Sequence, residues 1–85
     1  MQPGNVTLEK SGGRLVYAVG TIRNDSDHQR FSVTVELDVF DGQDAKLGSS
    51  SDYTPVIEPQ KEWKFKALVI DPKAVRAEIT AIKEN

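Results

Sequence analysis

The sequence lacks cysteine, has a single histidine and contains no long apolar run. Without cysteine there are no disulfides, no thiolate metal sites and no cysteine nucleophiles. No apolar segment approaches the roughly 18 residues that a membrane-spanning helix requires, and residues 1–5 have neither the basic start nor the apolar stretch of a signal peptide. We therefore expect no membrane insertion, in a chain that is either cytoplasmic or excised from a longer exported protein.

The sequence also has no large excess of charge of either sign. The chain has 11 basic and 13 acidic side chains, with a formal net charge of −2, whereas nucleic-acid-binding domains usually carry a basic stripe. The nearest approach to one is Lys61, Lys64 and Lys66 beside Trp63 and Phe65, a pattern typical of a solvated strand face. No nucleic-acid partner is predicted.

The sequence consists mainly of short apolar segments separated by turn residues. Turn signals recur about every 8–12 positions, which is typical of a β-sandwich or barrel, and 85 residues form one domain near the lower end of the usual size range. Residues 6–8 fit a short edge strand and residues 15–22 a full strand, in which Gly20 indicates a bulge or a close backbone approach. The sequence predicts a single all-β domain over residues 1–85.

Two segments alternate apolar and polar residues with a period of two. Residues 31–39 do so over nine positions and residues 63–69 over seven, and only a strand places such side chains on one face. Phe40 is expected on the opposite side, covering an edge or a loop. The predicted core, in a dry interior between two sheets, includes Phe31, Val33, Val35, Leu37, Val39, Trp63 and Phe65.

The turns have their own signals. Asp41 and Gly42 predict a hairpin connection, because glycine adopts positive φ without steric cost, and Gly48 is expected to close it. Pro55 confines residues 47–57 to an edge strand. Asn24 is predicted to anchor the turn that follows the second strand.

The last segment fits two structures. Asp71 and Pro72 are a good helix start, and Val75, Ile79 and Ile82 have helical spacing. Alternate residues from position 75 to 81 would equally lie on one face of a strand. We predict a strand, because the sandwich needs a partner for an exposed sheet edge.

Candidate catalytic and metal-binding residues are few. His28 lies in a polar loop without an identifiable partner, and no nucleophile motif is present. Asp25 and Asp27 in one loop, and Asp41 and Asp44 in another, are the hard-oxygen ligands that calcium prefers. The EF-hand spacing is absent, and aspartate is common in turns because it caps backbone amides. We predict no enzyme, no cofactor and no metal site.

Three motifs resemble the FxLYD domain family. Residues 19–26, VGTIRNDS, resemble its opening V-G-x-(V/I)-x-N-x-S, and residues 37–42, LDVFDG, are similar to the F-x-L-Y-D stretch. Residues 57–65, IEPQKEWKF, resemble its L-x-P-G-x-x-(W)-x-F segment. Leu37, Val39 and Phe40 replace Phe, Leu and Tyr, and Gln60 stands where the family usually has glycine. The order and spacing hold across residues 17–69.

The resemblance implies an immunoglobulin-like or fibronectin-like sandwich with a final strand after residue 72. Family members are commonly parts of bacterial and archaeal secreted or lipid-anchored proteins without established enzymatic activity. We therefore expect an antiparallel Greek-key β-sandwich of about six or seven strands, monomeric and extracytoplasmic or lipid-anchored if excised from a longer chain. Its expected role is to bind a protein or cell-envelope component, or to act as a spacer. The alternatives are a domain that self-associates through an edge strand and a calcium-binding adhesion-type module.

Overall fold

The computed structural model describes residues 1–13 and 15–84. Within them the backbone forms strands and no helix, which confirms the all-β prediction and the choice of a strand for the last segment. The strands are β1 (Gln2–Pro3), β2 (Thr7–Lys10), β3 (Val16–Arg23), β4 (Arg30–Phe40), β5 (Lys46–Ile57), β6 (Glu62–Val69) and β7 (Arg76–Lys83). The described residues contain no helix long and apolar enough to cross a bilayer.

Two antiparallel sheets share one hydrophobic core. In the first, β3 pairs with β1 and β2 on one side and with β6 on the other. In the second, β4 lies between β5 and β7. Both sheets contribute inward side chains to a single buried cluster, as in a two-layer sandwich. The buried apolar residues are Ala18, Ile22, Val33, Val35, Leu37, Val39, Ile57, Phe65, Ala67, Val69 and Ala77.

The central strand β4 follows the predicted alternation over most of its length. Val33, Val35 and Leu37 are completely buried, and Val39 is nearly so. The prediction is wrong at Phe31, whose side chain is 52% exposed. The cause is the backbone of Ser32, which has a φ of 53°. A residue with left-handed backbone interrupts the alternation of side chains along the strand, so the Phe31 side chain does not point inward as that of Val33 does.

Strand β6 contributes the largest buried aromatic side chain. Phe65 is 1% exposed, while Trp63 is half-buried and packs edge-on against it with ring centroids 6.0 Å apart. The Phe65 ring lies over Gly20, where a Cβ atom would be 2.7 Å from Phe65 Cζ and 3.0 Å from the Asn5 carbonyl oxygen. Gly20 therefore permits the close approach that its place in the strand indicated.

A β-bulge explains the ambiguous pattern of the last segment. The register between β4 and β7 shifts at Thr80, the extra residue on β7. Because an extra residue changes which side chains face inward, Ile79 and Ile82 both pack against the core. Their helix-like spacing thus arises within a strand. The prediction that alternate residues from 75 to 81 share one face is wrong at two positions. Ile82 points inward in place of Ala81, and the side chain of Val75 is 59% exposed.

The residues before β7 form a turn and not the first turn of a helix. The Asp71 carboxylate accepts a hydrogen bond from the Lys73 amide at 2.9 Å. The Asp71 carbonyl accepts one from the Ala74 amide at 3.2 Å. Aspartate here closes a local turn through its side chain, so the same residues that predict a helix start also suit this connection.

The hairpin between β4 and β5 contains both predicted turn residues, Asp41 and Gly42, but not in the predicted roles. Gly42 lies in the turn, but the left-handed residue is Asp44, with a φ of 63°. The Asp41 carboxylate accepts hydrogen bonds from the amides of Gln43, at 2.8 Å, and Ala45, at 2.9 Å. The turn is therefore held by the Asp41 side chain, and it does not use the conformational freedom of Gly42.

The strand connections give the sandwich two distinct ends. One end carries residues 24–29 and 58–61, and the other carries residues 41–45 and 70–75. The amino group of Met1 lies 3.7 Å from Asp25, and the Arg30 guanidinium contacts Glu84 at 2.7 Å. The first and last described residues are thus both at the end that contains residues 24–29.

Candidate functional site

Asn24 is a completely buried polar residue at the end of β3. Its Nδ2 donates hydrogen bonds to the carbonyl oxygens of His28 and Ile57, each at 2.9 Å. Its Oδ1 accepts bonds from the Ser26 amide, at 3.1 Å, and the Ser26 hydroxyl, at 2.6 Å. Both amide protons and the oxygen are engaged within the fold. The structure places Asn24 as an anchor between the loops at this end, with its polar atoms already occupied by the protein.

The other candidate polar residues are not assembled into one site. His28 is exposed and lies 3.3 Å from Asp27, Asp25 lies beside the amino terminus, and Asp44 pairs with Arg76 at 2.9 Å. Across residues 1–13 and 15–84, no three carboxylate or imidazole side chains are grouped so that they could hold a metal ion. Asp25 and Asp44 thus lie against cationic groups, and His28 lies against the adjacent Asp27.

The carboxyl group of Asp41, in the hairpin turn, has a lowered pKa. Hydrogen bonds from the Ala45 and Gln43 amides hold the pKa of Asp41 below its ordinary value of 3.8, because they stabilise the ionised carboxylate. The group is directed at its own backbone and not at a cavity. Its shifted pKa therefore reports turn structure and does not indicate a catalytic acid or base.

The lysines of β6 lie on the opposite face from its aromatic residues. Lys64 and Lys66 are exposed on the outer face, while Trp63 and Phe65 pack towards the core. The Lys66 ammonium lies 4.2 Å from the centroid of the Tyr17 ring, which is within cation–π range. The segment does not combine its lysines and its own aromatic rings into one stacking platform.

Exposed apolar side chains gather at the end of the sandwich that carries residues 41–45 and 70–75. Ile70 is 87% exposed, Val75 59%, Leu15 48% and Leu68 43%. We call these four residues the apolar end. Single exposed apolar residues are normal on protein surfaces, but these four flank the start of β3, the end of β6 and the start of β7.

A groove of about 360 Å³ opens between the two sheets at the apolar end. It lies where the beginning of β5 faces the end of β6, and Val39 and Val69 from the core form part of its lining. The nine lining residues are Val39, Leu47, Gly48, Ser49, Leu68, Val69, Ile70, Asp71 and Pro72. We refer to this feature as the groove.

The groove exists because β5 places no side chain at one inward position. Gly48 pairs with Val39, whose side chain faces the core, and directly paired residues of neighbouring strands lie on the same face. A Cβ atom built on Gly48 meets nothing within 4 Å. A missing side chain on the inner face of β5 thus leaves the floor of the groove open beside Val39.

Beyond Gly48 the same seam between the sheets is closed by polar side chains. The Ser50 hydroxyl donates a hydrogen bond to the Leu68 carbonyl at 2.6 Å. The Lys66 amide donates one to Asp52 Oδ2 at 2.8 Å. Both bonds run from inward-facing side chains of β5 to the backbone edge of β6, so they join the two sheets along one side.

The sequence did not predict the groove, because it depends on β5 and β6 meeting across two sheets. The sequence predicts Gly48 only as the close of a connection, which is wrong, because Gly48 lies inside β5. One available signal was Leu68, an apolar residue on the lysine-bearing face of β6, followed by Ile70. Comparison with known proteins adds no assignment: no protein-family model, curated protein or solved structure matches the chain.

Proposed function

We propose that this chain is a non-catalytic module that binds a protein or a cell-envelope component through the groove and through the exposed Leu68 and Ile70 that line it. The observation that carries the proposal is the groove itself, an apolar opening of about 360 Å³. That volume lies at the lower end of the range for ligand sites, which are mostly apolar and have few polar groups. The exposed Ile70 and Leu68 extend the apolar surface beyond its rim.

The lining of the groove supports binding over catalysis. Among the nine lining residues only Asp71 is titratable, and its carboxylate accepts the Lys73 amide within the turn. Catalysis requires several convergent groups, such as a nucleophile with its base or an acid–base pair. A groove with one carboxylate that is engaged locally suits recognition of an apolar group.

The placement of the groove also supports this role. Both ends of the described chain lie at the opposite end of the sandwich, beside Asp25 and Arg30. If neighbouring segments attach there, the groove points away from them. As part of the same proposal, the resemblance to FxLYD domains favours an immunoglobulin-like Greek-key topology and an extracytoplasmic or lipid-anchored location.

The proposal is tested by titrating the ¹⁵N-labelled chain with a soluble protein extract and with a detergent-solubilised envelope fraction. We expect signal broadening confined to residues around the groove, with loss of the effect in Ile70→Ser. The matched control is Tyr53→Ser, because Tyr53 is 55% exposed on β5, away from the groove. Equal broadening in both variants, or turnover of a substrate by the isolated chain, would contradict the proposal.

A second candidate function is self-association through β7. In the described part of the chain this strand pairs with β4 on one side and with no strand on the other. An open edge can pair with a second copy, but ion pairs of Arg76 with Glu78 and of Lys83 with Glu36, together with the bulge at Thr80, are features that blunt such edges. Sedimentation velocity separates the two functions: a mass that rises with concentration and falls in Glu78→Lys would favour self-association.

A further inference from the structure

We infer that the occupant of the groove is a short extended polypeptide segment that inserts one or two apolar side chains beside Val39 and Val69. This inference rests on the proposed binding function and specifies its partner. Three properties of the groove lead to it: the strands that border it, the hydrogen bonds that end at its margin, and its size.

The first property is that both bordering strands are sheet edges. In the described chain β5 pairs only with β4, and β6 pairs only with β3. Each therefore turns one row of backbone amide and carbonyl groups towards the seam. An extended segment can satisfy such groups by adding to an edge while its alternate side chains enter pockets. A helix has already paired its own backbone groups, and an acyl chain has none.

The second property is how β5 satisfies the edge of β6 where the seam is closed. Asp52 accepts the Lys66 amide, and Ser50 donates to the Leu68 carbonyl. These two side chains supply the hydrogen bonds that a neighbouring strand would otherwise make. At the next inward position of β5, Gly48 has no side chain to continue the series. The polar cover of the edge thus stops where the groove begins.

The third property is the small extent of the groove. Nine residues line it, whereas a stable protein–protein interface usually involves about 20–30 residues on each side. The groove therefore cannot by itself hold a second folded copy. Its volume of about 360 Å³ instead suits one or two side chains of a single segment.

The inference is tested with a displayed library of random twelve-residue peptides selected against the full chain. We expect enrichment of peptides with apolar residues at alternate positions, since every second side chain of an extended segment points the same way. Synthetic peptides from the selection should lose binding when an amide that donates to the edge of β5 or β6 is N-methylated. Enriched peptides that bind equally well after methylation at every position, or that are helical when bound, would overturn the inference.

A pair of matched substitutions, one in the groove and one outside it, tests where the peptide binds. Gly48→Val adds a side chain to the floor at a position where its Cβ atom meets nothing within 4 Å, so it should weaken peptide binding at least tenfold, about 1.4 kcal/mol, without lowering the melting temperature. Gly42→Val adds the same side chain in the hairpin turn, where its Cβ atom also meets nothing within 4 Å, and should leave affinity unchanged. Equal affinity of Gly48→Val and the unmodified chain would place the peptide elsewhere.

The result can be distinguished from failure of the proposed function. If the library yields no groove-dependent peptide but the extract still broadens the groove signals, the module binds a partner that is not an extended segment. If neither probe acts at the groove, both proposals are wrong. A dimer that forms with rising concentration and is abolished by Gly48→Val would identify a second copy as the occupant and would also overturn the inference.

Discussion

The Phe65 ring occupies the space that a side chain at Gly20 would need, with Phe65 Cζ 2.7 Å from the position of a Cβ atom. The two residues are directly paired on β6 and β3, and the Asn5 carbonyl oxygen closes the same space at 3.0 Å. The core of the first sheet is therefore built around a residue without a side chain.

Gly20→Ala should consequently destabilise the protein by about 1–3 kcal/mol, the usual cost of adding a methyl group to a filled core. Urea denaturation followed by tryptophan fluorescence measures this change. Gly48→Ala is the control, because its added methyl group meets nothing within 4 Å. It should be neutral or stabilising by up to about 1 kcal/mol, since alanine costs less chain entropy than glycine. Equal effects of the two substitutions would contradict the packing described around Phe65.

Asn24→Ala should lower the free energy of unfolding by about 2–4 kcal/mol. The substitution leaves the buried Ile57 carbonyl without the Nδ2 donor and removes one of the two donors to the His28 carbonyl, which keeps the Ser26 hydroxyl, and unsatisfied buried groups are costly. Asn24→Asp should be comparably destabilising, because a carboxylate cannot donate to those carbonyls. Asn5→Ala, at an exposed position, should change stability by less than about 0.5 kcal/mol. Wild-type stability of Asn24→Asp in chemical denaturation would show that these donor bonds contribute little.

The acid dependence of stability should include a contribution from Asp41. Its pKa in the folded protein is lowered by the Ala45 and Gln43 amides, so folding favours the ionised form. This stabilisation is present above the ordinary pKa of 3.8 and is lost as the pH falls through the lower, folded-state pKa. Titration of the Asp41 carboxyl ¹³C signal should give a midpoint below 3.8. A midpoint at or above that value would contradict the two amide hydrogen bonds.

Phe31 and Leu37 should respond very differently to truncation, although both belong to the same alternating segment. Leu37 is completely buried and Phe31 is 52% exposed. Leu37→Ala should therefore cost about 2–5 kcal/mol, and Phe31→Ala less than about 1 kcal/mol. Thermal and urea unfolding of both variants measure the difference. A large loss of stability in Phe31→Ala would restore the original prediction that this ring belongs to the core.

Local patterns predicted most of the secondary structure. The alternation from Val33 to Val39 specifies a half-buried strand because one face must avoid water along its whole length. Pro55 predicts an edge strand, because without an amide proton it cannot complete the hydrogen bonding of a strand that has neighbours on both sides. The structure places β5 at the edge of its sheet. The final segment was ambiguous, because the Thr80 bulge gives Ile79 and Ile82 a spacing that strands and helices share.

What the sequence by itself determined is the all-β class, the main strands and most of the core, because burial imposes a period of two that is visible along the chain. The tertiary structure decided the exposure of Phe31, the inward turn of Ile82 and the position of the groove. These features depend on a left-handed residue, an extra residue in one strand, and the meeting of Gly48 with the end of β6 across two sheets. The first two are backbone features that an apolar pattern does not reveal, and the third is a contact between residues far apart in the chain, which leaves no periodic trace in either segment alone.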